Sequence, residues 1–265
     1  MSVDSTAIDS TAMVSPECEL GSGVRIGPQV IVEPGVVVGD GCSIAAGAIL
    51  KRGLRLGREV RVFEGAVLGG EPQDLKYRAV ESFAEVGDRC VIREYATVNR
   101  SAKEGGTTRI GSGCFLMAYG HVAHDCEIGE QAIVASHVAL AGHIRVGAKA
   151  FISGGVVVHQ FSCIGELAMV GGGSKITLDV PPFFTVDGVP GRAVGLNVVG
   201  LRRADFSDED VSLLKEAYRI LYRSKLRREE ALTRMEALGA APTNRLVEFI
   251  RSSERGICGD RRGSR

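Results

Sequence analysis

The sequence predicts a mainly β protein: a parallel β-helix of hexapeptide repeats followed by a small C-terminal α-helical domain. Three observations predict it. An aliphatic residue recurs every six positions, glycine punctuates that repeat, and beyond Ser207 the apolar spacing changes to three and four residues.

Steps of six from Ile8 run through Val14, Leu20 and Ile26 to Leu68. They resume at Val86, Ile92 and Val98, and again from Ile110 to Ile176; all 26 positions are aliphatic in a chain that is 45% hydrophobic. A helix would repeat every 3.6 residues and an amphipathic strand every two. A six-residue period instead marks a hexapeptide β-helix, in which three hexads make one triangular coil of about 18 residues and the aliphatic side chain points inward. Glycine often follows the aliphatic residue, as at Gly21, Gly27, Gly39, Gly129 and Gly147.

Two stretches interrupt the repeat, Gly69 to Glu85 and Ala102 to Arg109, and the phase survives both. They read as loops extruded from an intact prism, and long loops of this kind are often functional. The first carries Gln73-Asp74-Leu75-Lys76-Tyr77. The pattern ends after Val180-Pro181-Pro182. Ser207 then supplies an N-cap with acids in the first turn, and Val211, Leu214, Ala217, Tyr218, Leu221 and Tyr222 form one helix face. Further helices are expected near 228–238 and 244–251. The organisation is therefore residues 1–190 as the β-helix domain, with insertions near 69–85 and 102–109, and 191–265 as the helical domain.

Composition narrows the function. The formal net charge is zero, so no global field collects nucleic acid. No apolar run approaches the roughly 18 residues of a membrane span, and the polar, acidic N-terminus lacks the layout of a secretory signal; a cytoplasmic protein with no membrane insertion is expected. Seven cysteines without CxxC spacing, five of them (Cys18, Cys42, Cys90, Cys114, Cys126) at one repeat phase, read as small reduced core residues.

The chemistry is expected on one edge. All five histidines lie between positions 121 and 159. Residues one coil apart stack, so His124, Gly142 and Gln160 share one column and Asp125, His143 and Phe161 the next, with His159 beside Gln160. A single histidine in a turn is commonly just solvated, but several imidazoles converging beside a carboxylate suit general-base work near neutral pH. No Gly-x-Ser-x-Gly elbow suggests a covalent nucleophile. The rival reading is zinc, because γ-class carbonic anhydrases place three histidines on the edge of such a helix.

His121-Val-Ala-His124-Asp125-Cys126, Ala141-Gly142-His143, Val158-His159-Gln160-Phe161, the 73–77 segment and Asn197-Val-Val-Gly200-Leu201-Arg202-Arg203 together resemble the acyl-carrier-protein–UDP-N-acetylglucosamine O-acyltransferases, which open lipid A biosynthesis. The resemblance spans nearly the whole chain. It implies a left-handed parallel β-helix, an exception to the right-handed crossover rule, assembled as a homotrimer with each site between subunits. It implies transfer of a 3-hydroxyacyl group from acyl carrier protein to the 3-hydroxyl of UDP-N-acetylglucosamine, with no cofactor and no metal. By the same resemblance His124 is the base, Asp125 orients it, and the Gly142 N–H is an oxyanion donor. Asp74, Lys76, His121, His143, His159 and Gln160 hold sugar, phosphates or acyl group; Asn197 and Arg203 contact the nucleotide side; and Gly172 limits acyl length. Val199, Ala204 and Pro190 depart from the family pattern. An N-acyltransferase acting on an amino sugar, a coenzyme A-dependent acetyltransferase and a non-enzymatic scaffold are the alternatives. The basic run Arg219, Arg223, Lys225, Arg227 and Arg228 reads either as a solvated helix face or as a dock for an acidic protein.

Overall fold

The computed structural model describes residues 6–261. Short strands, most of two residues, climb three faces of a prism in strict rotation. Among the described residues the first face has 11 strands, the second nine and the third eight. Pairing is parallel and one coil apart: Arg25 stands over Ala7, Ile31 over Met13, and Val37 over Glu19. The inward residue of each pair is the hexad aliphatic. Ile26, Val32, Val38, Leu50, Ile92, Leu140 and Ile152 are each at most 3% exposed, and burying such a side chain contributes about 1.5–3 kcal/mol.

Cys42, Cys90, Cys114 and Cys126 are buried, and each thiol donates at 3.1 Å to a carbonyl of the next coil, from Gly57 to Ala141. All seven cysteines are free thiols. Burial pushes the Cys126 thiol up to about 12, so it acts as a small donor in the core.

The insertions leave the prism intact. Thr97 stacks on Val67 and His121 on Thr97, so the coil step lengthens without a change of face. The loops are shorter than the broken hexads suggest, 71–82 and 100–106, because strands Val67–Gly70, Phe83–Val86 and Thr107–Ile110 extend into them.

The boundary expected after residue 190 falls inside a hairpin. Phe184–Asp187 continues the first face on Met169–Val170, and Arg192–Leu196 pairs antiparallel with it. Helices therefore begin seven residues later, with α1 (Val198–Arg203), α2 (Asp208–Arg223), α3 (Arg228–Glu236) and α4 (Ala241–Ser252). Ser207 caps α2 by accepting from the Asp210 N–H at 3.0 Å. The apolar face of α2 packs Tyr218 and Tyr222 on Phe184. α1 and the hairpin lay outside the sequence expectation because their apolar residues are too few to set a period. Of the basic run, Arg223 pairs with Asp260 at 3.4 Å, Arg219 with Glu216, and Arg228 with the Ile250 carbonyl. Three of its five cations are thus engaged within the chain. No helix among the described residues is long and apolar enough to cross a membrane.

Candidate active site

Two grooves of similar size run along the prism, one on the third face and one at the corner where the second face meets it. One, of about 890 Å3, follows the outward ladder Arg55, Glu85, Arg109, Glu127 and Arg145, whose charges alternate and pair with one another, as in Arg55–Glu85 at 3.2 Å and Arg109–Glu85 at 3.3 Å. The other, of about 910 Å3, is lined by Asp74, Lys76, His121, His124, Gly142, His143 and Gln160. Size does not choose between them. Chemistry does, because of the two only the second gathers imidazoles, with Asp74 and Lys76 at its rim.

The corner joining the second face to the third builds this cleft. His124 and Asp125 turn the chain between strands His121–Val122 and Glu127–Ile128. Asp125, His143 and Phe161 occupy one corner position in successive coils, all with left-handed backbone, φ 58°, 62° and 65°. Lower coils put Gly35 and Gly53 there. Glycine suits that conformation and other residues are strained in it, so the upper coils accept strain to place these three side chains.

His124 is 9% exposed, more buried than a corner residue suggests. Its Nδ1 lies 2.8 Å from Asp125 Oδ2. With Nδ1–H donating to the carboxylate, Nε2 is left as the acceptor. A β-carbon on Gly142 would come within 2.7 Å of His124 Cε1 and Nε2, so glycine there is what lets the ring lie flat on the next coil. His143 crosses His124 edge-on at 5.1 Å, stacks on Phe161 at 4.6 Å, and brings Nε2 to 3.8 Å from Asp125 Oδ2.

Asp125 is the hub. Burial opposes its charge, but the Ser101 hydroxyl at 2.5 Å, His124, and the Ala102 N–H at 3.3 Å outweigh burial and hold its carboxyl below the usual range. Its own N–H donates to Thr108 Oγ1 at 2.8 Å. Burial keeps His143 below its ordinary range despite the Asp125 charge, and burial does the same to His121. Thr97 Oγ1 lies 2.7 Å from His121 Nδ1.

Ser101, Thr97 and Thr108 escaped the sequence reading. Ser101 lies 24 positions before Asp125, one coil lengthened by the second loop; counting that loop into the coil step would have found it.

Asp74, Lys76, His121, His124, Asp125, Gly142, His143 and Gln160 thus come together. His159 is exposed and turns Nδ1 to the Gln160 carbonyl at 3.0 Å, off the cleft lining. Gly172 lies at the corner between first and second faces, after strand Met169–Val170. Asn197 caps α1, donating to Leu167 O at 2.8 Å and accepting from Gly200 N–H at 3.0 Å, which puts it at the corner between third and first faces, with Arg203 exposed at the end of α1. One chain therefore does not bring Gly172, Asn197 or Arg203 to His124.

Comparison with known proteins decides the family. Residues 17–52 and 107–142 match the bacterial transferase hexapeptide repeat, and 179–258 match the second domain of UDP N-acetylglucosamine O-acyltransferase. An acyl-[acyl-carrier-protein]–UDP-N-acetylglucosamine O-acyltransferase from Alkalilimnicola ehrlichii is 48% identical over 255 residues, 95% of this chain and 99% of the relative. This chain belongs to that acyltransferase family. A member from Gloeothece citriformis is 48% identical over 194 residues, 73% of this chain and 70% of its own. Among solved structures, the UDP-N-acetylglucosamine acyltransferase from Bacteroides fragilis superposes with a TM-score of 0.93 at 41% identity, covering 94% of this chain and 99% of that one. The acyltransferase fold is accordingly the left-handed parallel β-helix with a C-terminal helical part that the repeats and the resemblance implied.

Proposed function

We propose that this acyltransferase moves a 3-hydroxyacyl group from acyl carrier protein to the 3-hydroxyl of UDP-N-acetylglucosamine, with His124 as general base. The observation that carries the reading is the His124–Asp125 pair, 2.8 Å apart, in a cleft that Asp74 and Lys76 also line. Asp125, ionised and fixed by Ser101, holds the His124 ring with Nε2 available. Nε2 takes the proton of the sugar hydroxyl as its oxygen attacks the thioester carbonyl. The carbonyl oxygen gains negative charge in the tetrahedral intermediate, and the Gly142 N–H, which has no hydrogen-bond partner among the described residues, supplies a donor there. Collapse breaks the C–S bond, and the imidazolium returns its proton to the departing thiolate. Lys76 offers a cation for the diphosphate, and Asp74 and His143 offer partners for sugar hydroxyls.

The same reading includes a homotrimer. Val91, Phe115, Ile133, Phe151 and Met169 stack outward in one unbroken column on the first face and stay partly exposed in the single chain. A continuous apolar stripe marks an association surface, and cyclic closure is the common outcome. Asn197 and Arg203, remote from their own chain's His124, would then serve a neighbour's cleft.

The test is incubation with UDP-N-acetylglucosamine and a series of 3-hydroxyacyl carrier proteins, followed by mass analysis. An O-linked 3-hydroxyacyl product is expected; an amide product, or transfer only from coenzyme A, overturns the proposal. One observation favours a second reading: His124, Asp125 and His143 offer ligand atoms within 4.8 Å of one another, a spacing a metal ion could bridge. Activity lost in chelator and recovered with zinc would establish that reading instead.

A further inference from the structure

Beneath His124 in its column lies Arg100, because the register that stacks His121 on Thr97 continues to Ser101 under Asp125. Its side chain is only 13% exposed. The guanidinium bridges the first half of the first inserted loop. Nη1 donates to Gly69 O at 3.1 Å, where the loop leaves the prism, while Nη2 reaches Glu71 Oε1 at 3.1 Å and Tyr77 OH at 3.2 Å, beyond the loop tip. The Arg100 N–H also donates to Gly70 O at 2.8 Å, and the neighbouring Asn99 amide donates to Glu71 O at 2.8 Å.

Between those anchor points stand Asp74 and Lys76. They belong to a turn in which Asp74 accepts from both the Lys76 and Tyr77 N–H groups, through Oδ1 at 2.8 Å and its carbonyl at 2.9 Å. The turn is otherwise free of the prism, with Leu75 fully exposed. We infer that Arg100 is a positioning residue for the nucleotide sugar: it fixes the height of the Asp74–Lys76 turn over the cleft by tying the chain on either side of that turn, at Gly69–Glu71 and at Tyr77, to the coil directly below the base.

A planar fork with five donors can hold a carbonyl, a carboxylate and a phenol at once, which a lysine ammonium on a flexible stem does far less well. One group thereby couples the loop that binds to the coil that reacts, without touching substrate itself. The inference rests on the proposed function, since it takes Asp74 and Lys76 as sugar-nucleotide ligands.

Steady-state kinetics of Arg100→Ala, Arg100→Lys and Tyr77→Phe test it. Arg100→Ala is expected to raise KM for UDP-N-acetylglucosamine by about tenfold or more, the worth of a charge-assisted hydrogen bond. Its kcat and its KM for the acyl donor should change far less. Millimolar guanidinium should restore much of the loss, Arg100→Lys should recover only part, and Tyr77→Phe should move KM the same way by less. Trypsin should cut after Lys76 and Arg78 faster in Arg100→Ala than in the parent. An unchanged KM in Arg100→Ala and Tyr77→Phe overturns the inference. So does a loss of kcat with KM unchanged and no guanidinium rescue, which would mark Arg100 as a general prop of the fold. A parent enzyme that transfers nothing to UDP-N-acetylglucosamine removes the functional reading and the inference with it, and the trypsin comparison would still show whether the clamp exists.

Discussion

The His124 ring rests on the α-carbon of Gly142, so closely that a β-carbon there would stand 2.7 Å from Nε2. The residue proposed to stabilise the oxyanion therefore also sets the position of the base. Gly142→Ala keeps the N–H but pushes the ring aside. Because a shift near 1 Å can cost about 10²-fold, kcat should fall by about that factor, with thermal melting little changed. Turnover within twofold of the parent would show that the ring has slack.

His124→Ala removes the base. The loss in kcat should reach at least the roughly 10²–10⁴-fold typical of general-base catalysis. Asp125 keeps Ser101 and Ala102 in that variant, so the corner should stay folded by circular dichroism. Near-normal turnover would remove His124 from the mechanism.

Asp125 links pH to both stability and the neighbouring imidazole. Its folded-state carboxyl is held below the usual range, so its stabilising contribution is fully present above the unfolded value near 3.9 and disappears as pH falls through the lower folded value. The stability difference between the parent and Asp125→Asn should therefore shrink in acid and be constant at neutral pH. Nuclear magnetic resonance gives a second reading. Burial lowers the His143 value and the Asp125 charge raises it, so Asp125→Asn should lower it further. An upward move would reverse the assignment.

Gly172 discriminates between a corner glycine and an acyl ruler. Gly155 and Gly173 have left-handed backbone, which favours glycine, but Gly172 does not, and a β-carbon there meets Gly154 O at 3.4 Å and Ser153 Cβ at 4.0 Å, both ordinary contacts. Gly172→Met should therefore fold normally. If an acyl chain lies over this position, the optimum should shift from a 3-hydroxymyristoyl donor to a shorter one. Each carbon that no longer fits would cost about 0.8 kcal/mol, roughly fourfold in affinity. An unchanged chain-length profile places the ruler elsewhere.

The apolar column on the first face should hold the trimer. Phe115→Glu introduces a charge among Val91, Ile133, Phe151 and Met169. Light scattering should report a smaller particle with lost activity, because Asn197 and Arg203 could no longer reach a neighbouring cleft. An active monomer would contradict the shared-site reading.

The prism could be read directly from the chain because its information is one-dimensional. A hexad aliphatic such as Leu140 needs to know only its own phase, and parallel coils repeat the same pairing at a fixed step, so the histidine columns followed from counting. The same count missed Ser101, whose partnership with Asp125 depends on how many residues the 100–106 loop takes out of the coil. It also could not foresee that His124 would be buried, since that burial comes from the absent side chain of Gly142 on the next coil. The hairpin 184–196 and α1 carry no period and take their structure from packing against the last coil and α2. Arg100 looks in sequence like any surface cation. Its role comes from Gly69, Glu71 and Tyr77, which chain closure around the loop brings to one guanidinium. Local periodicity encodes the repeating core, whereas contacts made across insertions depend on where the chain returns, and that is a property of the folded coil.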